Sequence, residues 1–270
     1  MIRLVEEETA PLLRAFCRGS AFGCRVWSVW HAYGGYPFAQ VWIQQRETGE
    51  VTAAFSKMDG AILLEAAGAL SEDLLREQEG FLQAVGYTVL SGPRQALDAL
   101  PGLDGCRKAG AVLRREALRE EGPAGLDTSP PLRAVHTLLC ACAGPSFCPP
   151  AWEPFYLDVS HRMRHGLCRL CAAWEGDMLA ACAMTVAQSP FSAVLGAVAV
   201  HPDFRRQGWG TRVVRGILSS LPEALPCFVL RDARENRDFY ASLGFSPCGE
   251  WEEIQRIRTE KGEKNREVVS

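Results

Sequence analysis

The apolar and polar positions of residues 193–221 follow two periods in succession. Ala193–Val200 reads AVLGAVAV and contains no polar side chain, which predicts a strand that is buried on both faces. The apolar positions that follow recur at helical spacing on one stripe, and they are Val213, Val214, Ile217, Leu218 and Leu221. We therefore expect a buried strand that leads into an amphipathic helix through the polar loop HPDFRRQGWG.

The remaining pattern predicts the same order of short strands and helices twice. In the first half we expect strands at residues 2–5, 41–45, 51–57, 61–64 and 87–90, and helices at 8–17, 71–85 and 95–100. In the second half we expect further strands at 111–118, 167–174, 178–187, 228–231 and 248–257, and helices at 132–142, 154–165 and 234–243. The aromatic stretch 25–38 is assigned to neither type, and its rings either cover a core or line a pocket.

The repeated order predicts an α/β fold of the mixed α+β type. We expect two tandem domains, each a twisted mixed sheet flanked by helices. The first is placed at residues 1–108 and the second at residues 109–258, followed by a charged tail at 259–270.

Composition excludes several classes of protein. The hydrophobic share of 47% and the charged share of 23% are ordinary for a globular chain, and the net charge of −3 gives no reason to expect a nucleic-acid partner. The start MIRLVEEETAP is acidic and lacks the apolar core of a signal peptide. No apolar run approaches the roughly 20 residues of a membrane helix. We therefore expect no membrane contact and a cytoplasmic location.

Two groups of residues have the spacing of metal ligands. The eleven cysteines include Cys168 and Cys171 at the spacing of a zinc knuckle, but no second pair follows. Buried reduced thiols are the favoured interpretation. His161 and His165 lie one helical turn apart, but arginines flank them and favour an exposed basic face. We therefore expect no metal site.

The loop between the buried strand and the helix has the features of an anion site. The first amides of a helix lack internal acceptors, and the helix dipole adds about half a positive charge there. Gly208 and Gly210 allow close approach to the backbone, and Arg205 and Arg206 add two positive charges. Together these groups predict a site for a diphosphate-like anion.

Two known phosphate loops do not fit this segment. A Walker loop needs Lys followed by Ser or Thr after its second glycine, where Thr211 and Arg212 stand. A dinucleotide fingerprint needs a glycine at the position of Val213 and a first glycine directly after the strand, whereas residues 201–207 intervene.

Two segments instead resemble the GNAT family of N-acyltransferases. The segment RRQGWG, residues 205–210, is similar to the acetyl-coenzyme A loop of that family, and ENRDFYASLGF, residues 235–245, is similar to a later family helix. The resemblance implies two tandem GNAT-like domains. The first half has EAAGALS at the corresponding position, followed by Glu72 and Asp73. Because these acids would repel a diphosphate, we expect only the second domain to bind acetyl-coenzyme A.

The resemblance also implies roles for individual residues. The residues that it assigns to cofactor binding are Val198, Ala199, Val200, Arg205, Arg206, Gln207, Gly208, Trp209, Gly210, Thr211, Asn236, Phe239 and Tyr240. The Val198 amide would polarise the thioester carbonyl. Tyr240 would be the catalytic proton donor to the departing sulfur, since a phenol stays protonated at neutral pH. The alternative is that Phe239 and Tyr240 only pack the helix.

The general base is not identified by the sequence. Family members often carry an acid on the central strand, but residues 192–200 contain none. Glu153, Asp158, Glu175, Asp177 or a water relay remain open. The predicted function is an acetyl-coenzyme A-dependent N-acetyltransferase that moves an acetyl group to a primary amine of a small molecule or peptide, acting as a monomer or homodimer. The alternative is a non-catalytic acyl-coenzyme A sensor or interaction module.

Overall fold

A single mixed sheet extends through the two halves of the chain. The computed structural model describes residues 1–117, 121–144, 147–222, 225–232 and 236–256. Over these residues the sheet has eleven strands, and helices cover both of its faces. The mixed α/β fold predicted from the alternating pattern is confirmed.

The first half supplies six strands and four helices. The strands are β1 (Ile2–Leu4), β2 (Ala39–Gln45), β3 (Val51–Met58), β4 (Ala61–Ala66), β5 (Val89–Pro93) and β6 (Cys106–Arg115). The helices are α1 (Ala10–Phe16), α2 (Ala21–Tyr33), α3 (Glu72–Val85) and α4 (Arg94–Asp98). Most of the unassigned aromatic stretch lies in α2, which begins at an N-cap where the Ser20 side chain accepts from the Gly23 amide.

The second half repeats the order with five strands and four helices. The strands are β7 (Leu170–Glu175), β8 (Met178–Gln188), β9 (Ala193–Val200), β10 (Cys227–Asp232) and β11 (Ser246–Gln255). The helices are α5 (Leu132–Ala141), α6 (Trp152–Arg164), α7 (Trp209–Ser220) and α8 (Arg237–Ser242). The predicted helix at 234–243 and the predicted strands at 111–118 and 248–257 each extend partly outside the described residues.

Each half places its last strand beside the other half. The strand order is β1-β2-β3-β4-β5-β11-β6-β10-β9-β8-β7. The final strand of the chain, β11, is antiparallel to β5 and to β6, and β6 is antiparallel to β10. The boundary predicted at residues 108 and 109 falls inside β6. The end of the first half is therefore part of the sheet that the second half uses.

Helix α2 packs against both halves. Its residues Val26 and Val29 belong to a core with β2 and β3, whereas Phe22 and Cys24 pack with Val194 and Phe228. On the same side of the sheet, α5 and α6 cover β7, β8 and β9. Helix α7 packs on the opposite face of the second half, and α3 packs on the sheet of the first half.

A polar cluster joins α2 to α6. Arg162 is buried, and its Nε donates to Asp158 Oδ1 at 2.7 Å while its Nη1 donates to Ser28 Oγ at 2.8 Å. The Tyr33 hydroxyl donates to the same Asp158 oxygen at 2.6 Å. The His161 ring stacks on Tyr33. The prediction that this side of α6 is an exposed basic face is therefore wrong at Arg162, because Asp158 one turn earlier on α6 compensates its charge and Ser28 of α2 covers it.

The cysteines divide into buried and exposed groups. Cys168 and Cys171 are buried thiols, as predicted, whereas Cys140 and Cys148 are exposed. Among the described residues, no group of three or more His, Cys, Asp or Glu side chains is arranged to hold a metal ion. None of the helices described here combines the length and apolarity needed to cross a membrane.

We predict that Gly110→Ala destabilises the exchanged strand β6. The Trp251 indole crosses Gly110 to donate to the Arg231 carbonyl at 3.0 Å. A Cβ at residue 110 would overlap that carbonyl and lie 2.5 Å from Trp251 Nε1. We expect a loss of about 3 kcal/mol in the free energy of unfolding, measured in urea. Gly249→Ala is the matched control on β11, since nothing lies within 4 Å of its Cβ position. Equal stability of the two variants would contradict the packing described here.

Candidate functional site

The site is organised around an opening between β9 and β10. These parallel strands pair only at Ala193–Cys227, Val194–Phe228 and Leu195–Val229. Both strands continue beyond Leu195 and Val229 without pairing to each other. The backbone of β9 is therefore exposed to the opening on the side that β10 has left.

A bulge in β9 lies at the start of this opening. Gly196 pairs with Met184 on β8 and Ala199 pairs with Cys182, so Ala197 and Val198 together oppose one residue. Ala197 has a φ of 47°, a left-handed conformation that is strained for a residue with a Cβ. Among the described residues, Val198 has no register partner in either neighbouring strand.

Alternation along β9 gives the direction of its peptide groups. The His201 amide donates to Ala180 O of β8 at 2.9 Å. Two residues earlier, Ala199 pairs with Cys182 of the same strand. Because peptide groups of successive residues in a strand point to opposite edges, those of Val198 and Val200 point away from β8. They lie along the opening. The Val200 carbonyl already accepts from Cys142 Sγ at 3.2 Å and from Arg205 Nε at 3.4 Å.

The opening leads to the N-terminus of α7. Arg206 and Gly208 have φ angles of 65° and 84°, and Gly208 is the N-cap. Arg212 N donates to the Gly208 carbonyl at 3.1 Å as the first bond of the helix. The preceding amides, including those of Trp209, Gly210 and Thr211, therefore have no acceptor within the helix.

The two glycines of the loop have different structural roles. A Cβ at Gly208 would meet nothing within 4 Å, so the backbone there is open on one side. A Cβ at Gly210 would lie 3.3 Å from Val200 Cγ2 and 3.5 Å from the Phe239 ring. Gly208 thus allows the left-handed turn, whereas Gly210 lets α7 pack closely against β9 and α8.

Positive charge is concentrated at this loop. Arg205, Arg206 and Gln207 are exposed. Gln207 Nε2 donates to Asp203 O at 3.1 Å, which ties the loop to the short 3₁₀ turn Pro202–Phe204. Among the described residues, Arg206 makes no hydrogen bond or ion pair. Its guanidinium, the α7 amides and the helix dipole together favour an anion with several oxygens.

Helix α8 brings an aromatic pair to the same region. Tyr240 is 9% exposed and packs in one cluster with Val198, Val200, Trp209 and Phe239. Burial raises the pKa of its phenol to about 12. Asn236 is the N-cap of α8 with a φ of 59°, and its exposed side chain makes no capping hydrogen bond.

Comparison with known proteins agrees with this geometry. Residues 132–245 match the model of the Acetyltransferase (GNAT) family. This segment includes β9, the loop, α7 and α8. Residues 132–245 form a GNAT domain. No curated protein sequence matches the chain.

Solved structures share the fold over nearly the whole chain, the first half included. A Drosophila protein is 12% identical with a TM-score of 0.63 and covers 94% of this chain and 98% of its own. A GCN5-related N-acetyltransferase from Sphaerobacter thermophilus is 13% identical with a TM-score of 0.58, and the match covers 94% of this chain and 95% of that one. A tandem GNAT protein from the clavulanic acid biosynthesis pathway is 16% identical with a TM-score of 0.56, covering 96% and 100%. The tandem fold expected from the repeated order is confirmed.

Of the four acids considered as bases, one is engaged by other side chains and three are exposed. Asp158 is engaged by Arg162 and Tyr33 in the cluster between α2 and α6. Glu153 is exposed in the first turn of α6, and Glu175 and Asp177 are exposed at the turn between β7 and β8. Sequence reasoning did not find the bulge at Ala197, since no residue type in AVLGAVAV signals it.

We predict that the left-handed conformation of residue 208 contributes to the stability of the GNAT domain. Gly208→Val places a β-branched residue at a φ of 84°, and it should lower the free energy of unfolding by about 1–2 kcal/mol. Gly208→Asn is the matched control, because Asn tolerates this conformation better and the space around the Cβ position is open. Chemical denaturation compares them. Equal losses in both variants would show that conformation at residue 208 is not the cause.

Proposed function

We propose that the protein is an acetyl-coenzyme A-dependent N-acetyltransferase that transfers an acetyl group to a primary amine of a small molecule or peptide. The observation that supports this most strongly is the opening between β9 and β10, which leads directly to the free amides of α7. A long substrate with a peptide-like arm and a diphosphate fits both parts. Acetyl-coenzyme A supplies the activated acyl group as a thioester.

The diphosphate would bind at the start of α7. The amides of Gly208, Trp209, Gly210 and Thr211 offer donors, and Gly208 leaves the approach open. Arg206, free of other contacts in the described part of the chain, would supply charge. Arg205 and Gln207 would hold the loop in shape through their bonds to Val200 O and Asp203 O. Asn236 would add a side-chain contact from α8.

The arm would lie along the edge of β9 at Val198, Ala199 and Val200. The Val200 carbonyl already accepts from Arg205 and Cys142. The peptide N–H groups are therefore the main groups on this edge that would bind the arm. The Val198 N–H, which has no strand partner, would donate to the thioester carbonyl. A fixed donor at that oxygen stabilises the negative charge that develops during acyl transfer.

Tyr240 would give a proton to the departing sulfur. It lies in one cluster with Val198 and Phe239, and its pKa of about 12 keeps the phenol protonated over the working range of the enzyme. The amine proton would leave through water, because residues 192–200 carry no acid and Asp158 is held by Arg162. We further propose a cytoplasmic enzyme without nucleic-acid or membrane partners.

The missing acid on β9 supports a second candidate, a non-catalytic acyl-coenzyme A sensor. Catalysis and sensing differ in whether thiol is released. We predict release of free coenzyme A thiol when acetyl-coenzyme A is incubated with a mixed panel of primary amines, measured with a thiol reagent. Binding of acetyl-coenzyme A without thiol release on any amine would favour the sensor.

Calorimetric titration with coenzyme A tests the binding site. Arg206→Ala should weaken coenzyme A binding in calorimetry by roughly 3–10-fold, because it removes one charge-assisted contact. Arg215→Ala is the matched control, an exposed arginine farther along α7. We expect one coenzyme A per chain, since Glu72 and Asp73 begin the corresponding helix of the first half. An unchanged affinity in Arg206→Ala, or two molecules per chain, would contradict this assignment.

We predict a kinetic signature for Tyr240. Tyr240→Phe should lower kcat by about 100-fold or more, the usual contribution of a general acid, with little change in coenzyme A affinity. Because a raised pKa preserves the protonated form as pH rises, kcat of the wild type should not fall between about pH 8.5 and 10.5, where a phenol with an ordinary pKa of about 10 would ionise. Tyr36→Phe, at an exposed tyrosine, is the control. Unchanged kcat in Tyr240→Phe would indicate packing alone.

A further inference from the structure

A cavity of about 640 Å³ lies where the helices of the first half meet β6, β10 and β11. It opens at the carboxyl end of β4, where the parallel pairing of β4 with β5 ends at Leu63 and Ser91. Its walls are formed by residues at the start of α2, in the loop before α3, and in α3 and α4. Residues of β6, β10 and β11 complete the lining. It is thus the first-half counterpart of the opening between β9 and β10.

The cavity and the proposed acyl-transfer site lie at opposite ends of the sheet. Strand β5 is antiparallel to β11, β11 to β6, and β6 to β10. Strands β5 and β10 therefore run in opposite directions, and their carboxyl ends point away from each other. A ligand in the cavity is separate from the proposed acyl acceptor.

Glu65 supplies a carboxylate to the cavity. Its Oε2 accepts from Ser20 Oγ at 2.6 Å and from Gly23 N at 2.9 Å, at the start of α2. Both bonds use the same oxygen, and among the described residues no donor reaches Oε1. No lysine or arginine in the described part forms an ion pair with Glu65. Burial raises the pKa of this carboxyl, and the hydrogen bonds from Ser20 and Gly23 act in the opposite direction.

Gln78 lies beside the cavity, but its side chain is fully buried. Gln44 Nε2 donates to Leu74 O at 2.9 Å and to Glu77 Oε2 at 2.8 Å, which fixes the orientation of the Gln44 amide. Gln44 Oε1 then accepts from Gln78 Nε2 at 2.7 Å. These bonds fix which end of the Gln78 amide is nitrogen and which is oxygen. Its Oε1 is buried without a donor in the described part of the chain.

The remaining charged side chains of the cavity have partners. Arg114 Nε lies 2.9 Å from Glu116 Oε1, and Glu250 Oε2 lies 3.1 Å from Arg94 Nη1. The apolar part of the lining is formed by Phe22, Leu70, Leu75 and Phe228. The cavity therefore combines an apolar surface with one carboxylate that lacks a basic partner.

We propose that this cavity is a second ligand site, which binds a small organic ammonium ion with an apolar body. The ammonium group donates to Glu65 Oε1, and the apolar body lies against Phe22 and Phe228. A cation is favoured because it compensates the carboxylate, and a volume of this size accommodates a drug-sized molecule.

Three probes of one shape test the proposal. We would titrate 2-phenylethylamine, 2-phenylethanol and phenylacetate into the full chain saturated with coenzyme A, using calorimetry. Because free coenzyme A carries no acyl group, no turnover interferes. We expect the amine to bind at least about tenfold more tightly than the alcohol and the acid.

Matched variants locate the bound amine. Glu65→Gln keeps an acceptor for Ser20 and Gly23, and it should weaken amine binding at least about tenfold. Glu72→Gln, at an exposed acid of α3, should leave binding within about twofold. Ala96→Phe on α4 fills the cavity without altering Glu65, and it should also abolish binding. Folding of each variant is checked by its thermal midpoint.

Four results would overturn the proposal. They are the absence of binding by the amine, equal binding of amine and alcohol, an unchanged affinity in Glu65→Gln, and full binding by Ala96→Phe. The last two would place the amine elsewhere in the chain. None of them depends on acetyl transfer, so failure here leaves the proposed enzyme activity untouched, and failure of that activity leaves this site testable.

Discussion

The short pairing of β9 with β10 is the constraint on which the rest of the second half depends. Three residue pairs join these parallel strands, after which they separate. The bulge at Ala197 belongs to the same feature, because it turns the peptide groups of Val198 and Val200 toward the gap. Gly210 then lets α7 approach Val200 and Phe239, which brings the helix N-terminus to the end of the gap. A fully paired β9 would leave no backbone donor for a ligand.

The exchange of β6 and β11 makes the two halves dependent on each other. The segment that matches the GNAT family ends at residue 245, before β11, and begins after β6. Yet β6 is the strand that pairs with β10 along its whole length. The polar cluster of Arg162, Asp158, Tyr33 and Ser28 joins α2 to α6 on one face of the same sheet. The first half is therefore part of the structural support of the site, whatever else it binds.

The sequence predicts best what local pattern determines. AVLGAVAV, the loop with Gly208 and Gly210, and the stripe of α7 depend on neighbouring residues, and the structure has each where the pattern places it. The exchanged pairing of β6 and β11 joins residues far apart in the chain, so no periodicity reports it. The aromatic residues of α2 face two cores, which removes the one-sided stripe by which a helix is recognised. Arg162 is predicted to be exposed because its cover comes from Ser28 on α2, which is far away in the sequence, although its partner Asp158 lies one helical turn before it.

Comparing the two openings shows how one topology can serve two ligands. In each half the parallel pair separates after a leucine, Leu63 in β4 and Leu195 in β9. Two residues after its leucine, the second half has Ala197, where a bulge exposes neutral backbone donors. At the same position the first half has Glu65, in a strand that pairs with β3 without a bulge. Donors together with arginines suit an anion, and an uncompensated carboxylate suits a cation. The first half therefore places a carboxylate two residues beyond its parallel pairing, where the second half offers backbone donors, and this difference in charge separates the ligands that the two openings suit.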